Sequence, residues 1–131
     1  MQISKFTDYA FRSLIYLARN QDEIATVDKL AKELEVSQHH MKKVIYKLAK
    51  TDYIISTKGR NGGIKLGVEP SKINLGKVLM ATEENLNLVE CMNSPKLCPL
   101  MNDGCKLKGI ISKSLESFVN ELSQYTLDDI L

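Results

Sequence analysis

The stretch Ser37 to Val68, SQHHMKKVIYKLAKTDYIISTKGRNGGIKLGV, decides the fold. Ser37 is a helix-capping residue, and Met41, Val44, Ile45 and Leu48 follow it at helical spacing, so a helix opens there with those side chains turned inward. Gln38, His39, Lys42, Lys43, Tyr46 and Lys47 are left facing outward, which makes the exposed face basic. The period then changes. Tyr53 to Lys58 is rich in β-branched and aromatic residues and reads as a strand, and Ile64 to Val68 reads as a returning one. Gly59-Arg60-Asn61-Gly62-Gly63 joins them as a hairpin tip. Its glycines permit positive φ and close backbone approach, while Lys58 and Arg60 bring cations to it. A bland hairpin would use the glycines but has no need of cations directly after a basic helix, so the pair reads as a recognition helix and a wing.

Outward from this stretch, Thr26 caps a helix whose apolar face is Val27, Leu30, Ala31 and Leu34. Only Glu35 and Val36 separate it from Ser37, the signature of a helix-turn-helix. Phe6 to Arg19 is amphipathic and predicts a first helix. Pro70 ends the hairpin, and Asn74 caps a further short helix through Leu79. Near the end, Leu107, Ile110, Ile111, Leu115, Phe118, Val119 and Leu122 form a long apolar stripe that something must cover. A second copy of the chain is the economical partner, and packing back on its own domain is the alternative. The expected architecture is mainly α with a small β-hairpin. Residues 1–80 form a winged helix-turn-helix DNA-binding domain, 81–106 a cysteine-bearing segment, and 107–131 a dimerisation helix and tail.

With 131 residues, 44% of them hydrophobic, the chain fits one domain with a real core. Its formal net charge of +2 hides a division. Residues 1–80 carry 14 Lys/Arg against 8 Asp/Glu, whereas residues 81–131 carry 4 against 8. Between Ser37 and Lys65 the cations Lys42, Lys43, Lys47, Lys50, Lys58, Arg60 and Lys65 face only Asp52, an electrostatic footprint for a polyanion, the alternative being a merely solvated lysine-rich face. The N-terminus reaches Lys5, Asp8 and Arg12 before any apolar leader could form, and no long uncharged apolar run follows, so a cytoplasmic protein is expected. No nucleophile, base and orienting acid stand together, and the one glycine-rich loop lies on the basic wing, which disfavours an enzyme.

Every cysteine lies in Glu90 to Cys105, ECMNSPKLCPLMNDGC, with six residues between neighbours. Pro95, Pro99, Asn102, Asp103 and Gly104 make this a loop with at most a turn or two of helix, able to wrap thiols around one centre. In a reducing cytosol such a cluster reads as metal-binding or redox-reactive rather than as a disulfide framework. Structural zinc favours ligand pairs two to four residues apart, which are absent here. A dithiol switch leaves one cysteine over. Unrelated buried cysteines fit poorly with a loop rich in proline, lysine and asparagine. An iron–sulfur cluster suits soft thiolates spaced this widely, with Lys96, Lys106 and Lys108 nearby to offset charge. A fourth ligand would have to be an oxygen, an external group or a side chain of another subunit, since His39 and His40 lie in the recognition helix.

The stretches FTDYAFRSLIYLA, HHMKKVIYKLAK, KGRNGGIKL and INLGKVLMATEENLNLVEC, together with the three cysteines, resemble the Rrf-type winged-helix transcription regulators over nearly the whole chain. Within them the chain is most similar to the NsrR-like branch of nitric-oxide-sensing iron–sulfur repressors. The resemblance implies a homodimer on palindromic double-stranded DNA, with the third helix in the major groove and the wing at the minor groove. It implies Cys91, Cys98 and Cys105 as cluster ligands and Asp8, from the first helix of the opposite subunit, as the fourth. On its own sequence Asp8 reads as an ordinary i,i+4 pair with Arg12. The six-residue intervals leave both [4Fe–4S] and [2Fe–2S] open. Lys58 stands where the family often has arginine, and Thr51-Asp52-Tyr53 lacks the family's glycine.

On this footing Ser37, Gln38, His39, Lys42, Lys43, Lys47, Lys58, Arg60 and Asn61 are the candidate DNA-binding residues. The lysines neutralise phosphates, Gln38 and His39 reach base edges, and Arg60 and Asn61 enter the minor groove. The function expected is a transcriptional repressor whose operator binding is released when nitric oxide attacks the cluster. The alternatives are an Rrf-type regulator of iron–sulfur supply or redox state, or a zinc-binding or metal-free metabolite-responsive one.

Overall fold

The computed structural model describes residues 1–94, Lys96 and 98–131, apart from the side chains at 102 and 103; Pro95, one of the loop signals, lies outside the described residues. Helix α1 spans Lys5–Arg19, α2 Val27–Glu33 and α3 Gln38–Leu48; strands β1 (Ile54–Thr57) and β2 (Gly63–Leu66) follow. Then come α4 (Leu75–Thr82), the single turn α5 (Glu90–Asn93) and the long α6 (Lys106–Leu122), with 3₁₀ turns at Pro70–Lys72, Pro99–Asp103 and Leu127–Ile130.

The starts of α2 and α3 are set by their caps. Thr26 accepts a hydrogen bond from the Lys29 amide and Ser37 one from the His40 amide, each 3.1 Å, and either cap stabilises its helix by about 1 kcal/mol. Between the two helices the chain reverses without a glycine. Glu35 takes φ +53°, and the Val36 amide donates to the Ala31 carbonyl at 2.9 Å while the Glu35 amide reaches Lys32 at 3.3 Å. This doubly bonded reversal satisfies the carbonyls that end α2 and fixes the angle at which α3 leaves.

Strands β1 and β2 pair antiparallel from Ile54 opposite Leu66 to Thr57 opposite Gly63, a little shorter than the sequence predicts. Gly59 at the tip has φ +105°, a conformation that a side chain would strain. Ile54 and Ile64 are the residues that anchor the wing in the core.

The core is built from Ala10, Leu14 and Leu17 of α1, Leu30, the α3 face Met41, Val44, Ile45 and Leu48, and Val78 of α4. Leu127 joins it, fully buried, although the sequence reading placed it in a tail. The Leu127 amide donates to the Ile73 carbonyl at 2.8 Å and the Leu75 amide to the Tyr125 carbonyl at 3.0 Å. The chain end is thus stitched beside the start of α4. Gly76 of α4 allows this closeness, since a Cβ there would lie 1.8 Å from Ser123 Oγ and 3.0 Å from its Cα. Helix α6 itself buries no residue. Leu107, Ile110 and Phe118 stay 61%, 63% and 45% exposed, so three of the seven stripe positions are uncovered within one chain and the other four are only partly covered.

Candidate nucleic-acid interface and cysteine segment

Helix α3 presents Gln38, His39, Lys42, Lys43, Tyr46 and Lys47 to solvent, as its periodicity requires once Met41, Val44, Ile45 and Leu48 are inward. Ser37 is exposed too, with its hydroxyl oxygen engaged in the cap. Lys58, Arg60 and Asn61 stand exposed at the wing tip. Lys50 Nζ sits 4.5 Å from the centre of the Tyr46 ring, adding a further cation to the helix end. The side chain of Gln38 donates through Nε2 to Asp28 Oδ1 in the first turn of α2, a contact the sequence reading missed.

His40 does not join this exposed face. It lies half-buried against α1, edge-on to Tyr9 with ring centres 5.0 Å apart and tilted over Phe6 at 6.4 Å. The signal was available, because positions 40, 44 and 48 share one helical face. Ser13, fully buried in α1, donates to the Tyr9 carbonyl at 2.7 Å and touches Met41 Sδ at 3.3 Å. Helix α1 and the exposed basic helix are therefore packed directly against each other.

Asp8 lies on α1 beside this contact. Its carboxylate pairs with Arg12 Nη2 at 2.6 Å, with side chains 39% and 51% exposed, so the i,i+4 pair is formed. An exposed pair of this kind contributes about 0.3–0.5 kcal/mol, little enough to be exchanged for another partner.

Cys91 lies in α5, Cys98 immediately precedes the 3₁₀ turn at Pro99–Asp103, and Cys105 immediately precedes α6. All three are free thiols, intermediate in exposure. Short turns in an otherwise irregular segment are what the prolines and glycine lead one to expect. Among the described residues no three His, Cys, Asp or Glu side chains converge as a metal-holding group, so the thiols share a segment without forming a centre in this conformation.

Glu83 ends α4 and leads into the cysteine segment. Its Oε1 accepts a 2.6 Å hydrogen bond from the backbone N–H of Ser4, the residue whose hydroxyl caps α1 by accepting from the Thr7 amide at 3.2 Å. The pair is a capping box whose acid comes from a distant helix. Partial burial pushes the Glu83 carboxyl up, but the Ser4 amide with the Thr7 and Ser4 hydroxyls outweighs it and holds the group below its ordinary value. The segment that carries the thiols is thereby fastened to the helix that supports α3.

Comparison with known proteins agrees with this arrangement. Residues 3–131 match the Rrf2 family model, described as an iron-dependent transcriptional regulator. The chain is 42% identical to the HTH-type transcriptional regulator NsrR of Bacillus licheniformis, covering all of this chain and 92% of that one, and 36% identical to its Bacillus subtilis counterpart, covering 90% of it. The fold is similar to T. potens IscR, with a TM-score of 0.75 at 21% identity over 99% of this chain and 85% of that one. It is likewise similar to CymR, the global cysteine regulator of B. subtilis, with a TM-score of 0.73 at 21% identity over 99% and 95%. Among the described residues no helix is long and apolar enough to cross a membrane. The chain belongs to the Rrf2 family of transcriptional regulators, and its winged helix-turn-helix is that of a DNA-binding regulator.

Proposed function

We propose that this regulator is a repressor whose operator binding is switched by an iron–sulfur cluster that senses nitric oxide. The observation that carries the reading is the placement of all three free thiols in one segment, which Glu83 ties to the helix beneath the exposed basic face. The relatives named NsrR, alike over the whole chain, support it. As donors Cys91, Cys98 and Cys105 suit a soft metal centre, half-exposed and without disulfide partners. They would hold a [4Fe–4S] or [2Fe–2S] cluster, with Asp8 of the opposite subunit as the oxygen ligand after exchanging Arg12. When bound, such a cluster would supply an iron that lacks a fourth thiolate and is open to nitric oxide.

Residues 1–80 then act as the reading head, 81–106 as the cluster segment and 107–131 as the dimerisation element. The exposed Leu107, Ile110 and Phe118 face a second copy of α6. In the dimer the two α3 helices enter successive major grooves of a palindrome, about 34 Å apart. Lys42, Lys43, Lys47 and Lys58 neutralise phosphates, Gln38 and His39 lie at the base edges beside Ser37 at the helix start, and Arg60 and Asn61 reach the minor groove. Asp8 stands on α1, which packs on α3 through the Tyr9–His40 contact, so a ligand held by Asp8 would bear on the position of α3. Purification without oxygen tests the reading: iron and sulfide in stoichiometric amount, lost on nitric oxide addition together with DNA binding, are expected. A colourless protein containing zinc would overturn it.

A further inference from the structure

The Asp28–Gln38 hydrogen bond gives the reading head a chemical polarity. A carboxylate has only acceptors, so the Gln38 amide must turn its NH₂ toward Asp28 and its carbonyl Oε1 away. An unrestrained glutamine turns either end outward. Held this way at the first position of α3, Gln38 offers an outward acceptor and one remaining N–H. Adenine alone presents the matching pair in the major groove, an N6 donor beside an N7 acceptor. Guanine offers two acceptors, N7 and O6, one of which would face Oε1. We propose that Asp28 is a specificity-determining positioning residue: it locks the Gln38 amide so that this regulator reads an A·T pair and rejects G·C at one operator position. Asp28 itself touches no base. The inference rests on the DNA-reading role proposed for α3.

Its position also explains a cost. A carboxylate beside a basic DNA-facing helix opposes phosphate binding, although in the first turn of α2 it also complements the helix N-terminus. Both residues are exposed, so their substitution leaves the core intact.

The test selects binding sites from a pool of randomised DNA duplexes with the full-length chain isolated anaerobically, in parallel for wild type, Gln38→Ala, Asp28→Ala and Asp28→Asn. Positioning and electrostatics are separated by the readout, since loss of the carboxylate's charge raises affinity for all duplexes alike whereas loss of the acceptor-only partner changes the base preference. The wild type is expected to enrich a motif with one A·T position, verified on single-substituted duplexes, whose preference over G·C falls at least about fivefold in Gln38→Ala and in Asp28→Ala. Asp28→Asn, whose amide donates as well as accepts and so no longer fixes the Gln38 amide, is expected to weaken that preference too, and both Asp28 variants to bind all duplexes more tightly. Retention of the full preference in both Asp28 variants, a motif unchanged by Gln38→Ala, or G·C at the Gln38-dependent position each overturns the inference alone. A wild type that enriches no motif would overturn the DNA-reading role as well.

Discussion

Glu83 and Ser4, far apart in the chain, meet through a 2.6 Å hydrogen bond from the Ser4 amide to the Glu83 carboxylate. That bond joins the end of α4 to the start of α1, and α1 carries the aromatic contact to His40 in the recognition helix. A movement of the cysteine segment therefore has a short physical route to the DNA-facing surface. A single cap bond is worth about 1 kcal/mol, enough to bias such a route and small enough to be reversed.

Replacing Glu83 by Ala should lower stability by about 1 kcal/mol at neutral pH, read from urea melts. Because the folded carboxyl sits below its ordinary value, its contribution is fully present above 4.5 and is lost as pH falls through the lower folded value. The gap between wild type and Glu83→Ala should accordingly close in acid. An unchanged gap would mean that the ionised carboxylate is not what holds Ser4.

Leu127→Ala should cost about 2–5 kcal/mol, the range for emptying a buried leucine site. Thermal unfolding checks it. A cost below about 0.5 kcal/mol, typical of exposed positions, would contradict the seating of the chain end in the core.

Caps and faces were legible in the sequence because they are local. Thr26, Ser37 and Asn74 are short polar residues just ahead of helical apolar patterns, and each accepts the amide bond expected of it. The inward face of α3 followed from spacing alone. Contacts between distant residues left no comparable trace. Nothing near Glu83 points to Ser4, and Leu127 follows a run of polar residues that reads as a tail until its pairing beside Ile73 is seen. Three cysteines at even intervals raised the expectation of a shared centre, but among the described residues they do not come together as a metal-holding group.

Lys42→Ala and Lys47→Ala should weaken binding to all duplexes alike. Each should reduce the slope of log affinity against log salt by about 0.9 if its ammonium neutralises one phosphate. Fluorescence anisotropy across a salt series measures this. A variant with an unchanged slope would remove that lysine from the interface.

If the exposed stripe pairs with a second α6 as proposed, placing a charge on it, as in Ile110→Glu or Phe118→Glu, should shift the protein from dimer to monomer, because an unpaired carboxylate cannot be buried there. Sedimentation equilibrium would show it. The folded content should stay unchanged, since α6 buries no residue within its own chain.

The most direct measurement is operator affinity of the anaerobically isolated protein, compared before and after removal of its iron and sulfide, with Cys98→Ala alongside. The loaded wild type is expected to bind tighter by about tenfold or more, a coupling near 1.4 kcal/mol, and Cys98→Ala to behave as the emptied protein does. Equal affinity of loaded and emptied protein would contradict a cluster-controlled reading head.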